Sequence, residues 1–253
     1  MAKMIPDQEG RISCNRNCEN NLKEGFVKEE WPLTNNCKSV LFCYYAQNRP
    51  YGFHKFQTIN SSDGSVNCSF EGELVNKKAE GYGIYKDING GYEGDWYNDS
   101  QTGIGIEQLP DNSNYSGEFK NGVKEGIGIY KWADGTSYAG EWKNNIFNGY
   151  GIYKFPNGQI YKGQFISGVM NGYGELIYPN GDAYFGEYIQ GKRTGFGLYK
   201  VNKNDTYVIL YHSFLIKKDA TQLNSFIQMK RSVLDKLGNM IEKAWQKFKK
   251  NGS

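Results

Sequence analysis

Long hydrophobic runs are missing from this chain. The longest mostly apolar stretch, VILYHSFLI at 208–216, is far too short to span a bilayer. The start, MAKMIPDQEG, has no apolar core, which argues against a secretory signal. Alanine and leucine are sparse, so a mostly helical protein is not expected. Histidine is nearly absent: His54 and His212 are the only two, and neither sits in a familiar catalytic pattern with Ser or Cys and Asp. The five cysteines are odd in number and follow no framework, which suits reduced thiols in a cytosolic compartment. Cys14-x3-Cys18 and Cys37-x5-Cys43, with Cys68 and His54, form a metal-like set, but the spacing is irregular. No metal, no cofactor and no catalytic residue are expected.

What the chain holds instead is glycine and rings. Its 253 residues include 32 Gly, 20 Tyr, 14 Phe and 5 Trp, a mixture that suits strands and tight turns. Charge is unevenly placed. Residues 70–200 carry 12 Lys and Arg against 16 Asp and Glu, whereas residues 201–253 carry 10 against 4. A basic tail beside an acidic middle suggests a tail that meets an acidic surface. The acidic balance of the middle argues against nucleic acid as a partner.

The rings and glycines are periodic. An aromatic opens a five-residue unit at Phe70, Tyr92, Tyr115, Tyr138, Tyr161, Tyr184 and Tyr207, with steps of 22 and then 23 residues. Gly72, Gly94, Gly117, Gly140, Gly163 and Gly186 follow two residues later. Leu74, Trp96, Phe119, Trp142, Phe165 and Tyr188 follow two after that. Eleven residues after each opening ring comes a Gly-x-Gly pair, such as Gly149 and Gly151. Each unit has room for two short strands of alternating pattern. Asn89-Gly90, Asp134-Gly135, Asn157-Gly158 and Asn180-Gly181 lie between units and predict tight hairpins with positive φ at both central residues. Within a unit a looser loop is expected, as at Lys120-Asn121-Gly122. Glycines inside strands mark close approach by another group, and the expected group is a neighbouring strand's Tyr, Trp or Phe. No unit buries its rings alone, so units must stack.

This pattern resembles the MORN repeat (membrane occupation and recognition nexus), whose unit runs YxGxW/F, GxG and a (D/N)G turn. Tyr92-Glu93-Gly94-Asp95-Trp96 and Tyr138-Ala139-Gly140-Glu141-Trp142 carry the resemblance best. Asn112-Ser113 departs from it at one turn. Tyr207 to Tyr211 lacks its glycine and reads as a terminal half-unit, while Pro50-Tyr51-Gly52-Phe53 reads as a decayed strand with Val40–Tyr45 as its partner. The expected fold is an all-β repeat array, an elongated twisted antiparallel sheet of stacked hairpins. Its parts are an irregular N-terminal arm (1–38), a degenerate first repeat with a long loop (39–67), the array (68–211) and a C-terminal amphipathic α-helix (219–250). The helix carries Leu223, Ile227, Leu234, Leu237, Ile241, Ala244 and Phe248 on alternating spacing of four and three, with Lys230 the one polar member. Phe226, Val233, Met240 and Trp245 widen that stripe. The helix either folds back over the open end of the sheet or offers Leu223, Ile227, Leu234, Leu237, Ile241, Ala244, Trp245 and Phe248 to a partner, a second copy in a two-stranded coil included. A basic helix lying on a membrane is the third reading.

Two other chemical readings are set aside. The glycine pairs lie inside strands, without the third glycine and following helix that a phosphate cradle needs. Glu93, Glu118, Glu141 and Glu187 recur with the repeat, whereas an acid–base pair would be singular; a solvent face or cross-strand pairing is expected for them. The resemblance implies a non-enzymatic scaffold or assembly subunit binding proteins of a large assembly, like MORN proteins of ciliary radial spokes and cytoskeletal scaffolds. Cytoplasm, cytoskeleton and the ciliary axoneme are the places it implies. A phosphoinositide or membrane tether is the alternative, and a regulatory subunit of a separate enzyme the second alternative.

Overall fold

The computed structural model describes the backbone of residues 11–14, 25–33, 36–46, 49–201, 205–210 and 220–250. Within these, the side chains of 11–14, 49–51, 196, 205–210, 220–224, 226–227 and 244–250 lie outside the description. The chain forms two compact units, residues 1–114 with 119–123 and residues 115–118 with 124–253. The first unit holds β1 (Arg11–Cys14), β2 (Gly25–Pro32), β3 (Cys37–Ala46), β4 (Arg49–Asn60), β5 (Val66–Val75), β6 (Lys78–Asp87), β7 (Gly90–Tyr97) and β8 (Ser100–Gln108). Strand β9 (Asn114–Lys120) is divided between the units. The second unit continues with β10 (Val123–Lys131), β11 (Ser137–Lys143), β12 (Ile146–Lys154), β13 (Ile160–Ile166) and β14 (Val169–Ile177). It ends with β15 (Ala183–Ile189), β16 (Lys192–Val201), β17 (Asp205–Leu210) and the helix α1 (Ala220–Lys250). Each strand pairs antiparallel with the next in the chain, from β1 to β8 and from β10 to β17. The fold is an all-β array of stacked hairpins with one helix among the described residues.

The turns invert the sequence expectation. Asn157 keeps an ordinary φ, and only Gly158 enters the left-handed region at +82°. Pro156 precedes Asn157 and presets a four-residue turn of type I sense. There Phe155 N bonds to Gln159 O at 2.9 Å and Gly158 N to Phe155 O at 3.0 Å, while Asn157 Oδ1 accepts from Gln159 N at 3.1 Å. The same Asx bond recurs at Asp111, Asp134 and Asn180. The two-residue turns with both φ positive lie inside the units, at Asn76-Lys77, Asn98-Asp99, Asn121-Gly122, Asn144-Asn145, Ser167-Gly168 and Gln190-Gly191.

The N-terminal arm, expected to be irregular, also departs from expectation: Gly25–Pro32 is a strand paired with β3. Val27, Glu29 and Trp31 alternate into the interior. The charge of Glu29 hid this pattern in the sequence; the Tyr45 hydroxyl donates to its Oε1 at 2.6 Å and compensates its burial. Residues 15–24 lie outside the described residues, as do His212 and Cys18.

Helix α1 does not close the open end of a sheet. It lies on one face of the second unit's strands, where Val233, Leu237 and Met240 join Phe185 and Leu198 in a core. Its buried row is therefore centred on 233, 237 and 240, rotated from the stripe read in the sequence. Leu234 and Ile241 point away and are exposed. A single amphipathic helix is marginal in water, so this docking supplies much of its stability.

Candidate functional site

Strand alternation gives every repeat two faces. One is a ring face. There Gly163 pairs with Gly174, and the pattern repeats at Gly72–Gly83, Gly94–Gly105, Gly140–Gly151 and Gly186–Gly197. The Tyr161 ring lies over its own repeat's pair: a Cβ added at Gly163 would lie 2.6 Å from Gly174 Cα and 2.7 Å from Tyr161 Cζ. The ring's position explains why both residues are glycine. The first glycine of each Gly-x-Gly has a different duty, since Gly149, at φ +87°, turns the strand in the left-handed region.

Four hydroxyls and two indoles on this face find backbone partners. Tyr92, Tyr115, Tyr138 and Tyr161 each donate to the carbonyl three residues on, at 3.0, 3.0, 2.9 and 3.2 Å. Burial pushes the phenols of Tyr92, Tyr138 and Tyr161 well above their usual range. Trp96 Nε1 donates to Gly83 O at 3.0 Å and Trp142 Nε1 to Gly128 O at 3.1 Å, so each indole reaches back to the preceding repeat. Edge-to-face contacts run Phe70–Trp96–Tyr92–Phe119 in the first unit. In the second they run Tyr115–Trp142–Tyr138–Phe165–Tyr161–Tyr188–Tyr184. Each such pair adds about 0.5–1.5 kcal/mol beyond area burial. Among the described residues this face is mostly a packed core of rings over glycine.

The periodic acids prove structural in part. Glu118 Oε1 accepts from Ile127 N at 2.9 Å, Asp95 Oδ2 from Ile104 N at 3.0 Å and Gln164 Oε1 from Tyr173 N at 3.1 Å. Each caps the amide that follows a left-handed glycine and that the strand ladder leaves open. Glu93 sits at another repeat position and accepts from the Tyr82 hydroxyl.

In the degenerate first repeat, Cys43 and His54 stand where the paired glycines stand elsewhere, and Tyr45 stands in the Trp position. His54 is fully buried, and burial holds its imidazole below the usual pKa. Cys37 Sγ accepts from Asn67 Nδ2 at 3.4 Å. Among the described residues no three His, Cys, Asp or Glu side chains gather as metal ligands would.

The other, reverse face is where the two units differ. In the second unit α1 covers Ile127, Tyr150, Ile152, Tyr173, Phe185 and Leu198. Lys236 Nζ donates to the Tyr150 hydroxyl at 2.9 Å and stands 5.0 Å above its ring, while Lys230 pairs with the mostly buried Glu175. Of the helix residues expected to meet a partner, Leu237 is 3% exposed and belongs to this internal core. Leu234 and Ile241 face outward at 39% and 51%. The side chains of Leu223, Ile227, Ala244, Trp245 and Phe248 lie outside the described residues. A groove of about 850 Å³ runs beside the helix, lined among others by Glu118, Glu125, Glu141, Lys236 and Lys243. The sequence signal for the helix seat was present but diffuse: apolar residues at the middle of Gly-x-Gly and just after it.

Among the described residues no helix is long and apolar enough to cross a membrane. No curated protein matches the chain. A family model described as MORN repeat matches residues 70–91, 92–114, 115–137, 138–160, 161–183 and 184–205. These boundaries coincide with the ring-over-glycine modules seen in the structure, and they cover more than half of the chain. The chain therefore belongs to the MORN-repeat family, a family of binding repeats rather than of dedicated catalytic folds.

Proposed function

We propose that the chain is a non-catalytic scaffold that binds other proteins along the reverse face of its repeats. The observation that supports this is intramolecular: the reverse face of the second unit already holds an amphipathic helix through apolar, cation–π and ion-pair contacts. A surface able to seat its own helix has the chemistry to seat another. A subunit of a ciliary, radial-spoke-like or cytoskeletal assembly is the setting that family likeness favours. The outward row of Leu234 and Ile241 on α1 is a second contact surface for a partner or a second copy.

The test is affinity capture of the tagged full chain from its native cell, followed by mass spectrometry. Enrichment of tubulin-associated or spoke proteins is expected, and their absence removes the ciliary setting. The basic tail favours a second reading, a membrane tether. Flotation of the full chain with phosphoinositide vesicles decides it: no co-flotation ends that reading. Regulation of a separate enzyme remains a form of the scaffold reading, and would show as an enzyme among the captured proteins.

A further inference from the structure

We propose that the reverse face of the first unit is a docking seat for a basic amphipathic α-helix of a partner protein. This rests on the scaffold reading above and names the partner class and the residues. The argument is one of equivalent positions. Across the second unit helix α1 sits on two kinds of repeat position: the residue between the Gly-x-Gly glycines (Ile127, Tyr150, Tyr173) and, in two repeats, the residue after the second glycine (Ile152, Leu198). In the first unit the same two positions hold Phe53, Tyr82 and Ile104, and Lys55, Ile84 and Ile106. Phe53, Tyr82 and Ile106 face solvent, at 60%, 45% and 49% exposed, and Ile84 and Ile104 are half-buried. A groove of about 450 Å³ at the β4 end of this row is lined by Phe26, Phe42, Phe53, Lys55 and Glu71. It can take an aromatic or long aliphatic anchor.

Charge names the occupant. Between the opening aromatic and its glycine, the second unit carries Ser116, Ala139, Lys162 and Phe185, whereas the first unit carries Glu71 and Glu93. Two residues further on, on the same face, the units are nearly alike, with Glu73 and Asp95 in the first and Glu118, Glu141, Gln164 and Glu187 in the second, so the difference in sign rests on Glu71 and Glu93. Glu71 pairs with Lys55 at 2.7 Å and Glu93 accepts from Tyr82, so the carboxylates are held in place along the apolar row. The row thus has the apolar footprint of the α1 seat with more negative charge around it. A helix with apolar residues at i, i+4 and i+7 and Lys or Arg beside them is complementary in shape and sign. The same acidic rim disfavours an anionic membrane.

The probe is a labelled synthetic peptide with the sequence of residues 220–250, which carries seven Lys and Arg against two acids. It is titrated into the full chain, whose own α1 is tethered and so outcompetes free peptide at its seat in the second unit. Saturable binding that weakens with salt is expected. A peptide with those seven residues changed to Gln binds at least about tenfold more weakly. Ile106→Asp and Tyr82→Asp each weaken binding by about tenfold or more, whereas Ile129→Asp, an exposed position after a second glycine in the second unit, leaves it unchanged. Thermal melts establish that the three variants fold. The proposal is overturned by no saturable binding at low salt, by equal affinity for the Gln peptide, or by loss of binding in Ile129→Asp instead. A dimer in sedimentation that Ile106→Asp dissolves would make the occupant a second copy, which also overturns it. If Ile106→Asp still captures every partner of the parent chain, the scaffold reading stands and this seat falls. If the peptide binds as described but the chain captures no partner, the seat stands and the scaffold reading falls.

Discussion

The two units share one face and differ on the other. Their ring faces follow the same rule, a tyrosine or phenylalanine laid over facing glycines. Their reverse faces use the same apolar positions, but one is covered by α1 and the other meets solvent. The difference separates two kinds of residue in a repeat. Those on the ring face fold the module, and those on the reverse face are available for whatever lies against it.

Breaking the shared face should have the largest effect. Gly163→Val in the second unit and Gly72→Val in the first each place branched carbon into facing backbone and ring. Each should cost about 3 kcal/mol or more in urea denaturation. Tolerance of either would show that the faces are not built alike. Leu237→Ala, which opens the helix core, should cost about 2–4 kcal/mol and raise hydrogen exchange in α1. The comparison sharpens at a single repeat position. Ile152→Asp buries a carboxylate under α1 and should cost about 1–3 kcal/mol, while Ile106→Asp should change stability by no more than about 0.5 kcal/mol. Equal costs would mean that both faces are covered. Lys230→Ala leaves the mostly buried Glu175 carboxylate without this partner and should cost about 1–3 kcal/mol in the same measurement.

The smallest effect concerns pH. His54 has its folded pKa lowered by burial from the model-compound value of 6.5. The unfolded chain then binds the proton more readily, so stability falls as pH drops through and below 6.5, and levels off below the folded pKa. His54→Ala should flatten that slope in denaturation measured across the acid range.

Much of the fold could be read from spacing alone. A ring, then glycine two residues on and Gly-x-Gly at eleven fixed the strands and their faces, because period-2 alternation leaves no freedom once one face is known. The turns could not be read from the Asn-Gly and Asp-Gly pairs alone, since the residue before the pair, whether Pro156, Pro179 or Ala133, takes one central position of the turn and only the glycine turns left-handed. Strand β2 was hidden by Glu29, whose burial depends on Tyr45 sixteen residues away. The helix seat was hidden because two lysines belong to it: Lys230 and Lys236 point toward the sheet, so an apolar-only stripe averaged the buried and outward rows. Glu118, expected on a solvent face or in cross-strand pairing, could be assigned only once the left-handed Gly126 showed which amide it caps.

The backward reach of Trp96 to Gly83 and of Trp142 to Gly128 gives the array a polarity. A module is finished only by its successor, so its two ends are chemically unlike. Removing copies from the trailing side leaves a glycine carbonyl without its indole donor, whereas removing them from the leading side leaves an indole without its acceptor. Growth or shrinkage of such a chain is therefore confined to whole copies, and the two termini call for different kinds of cap.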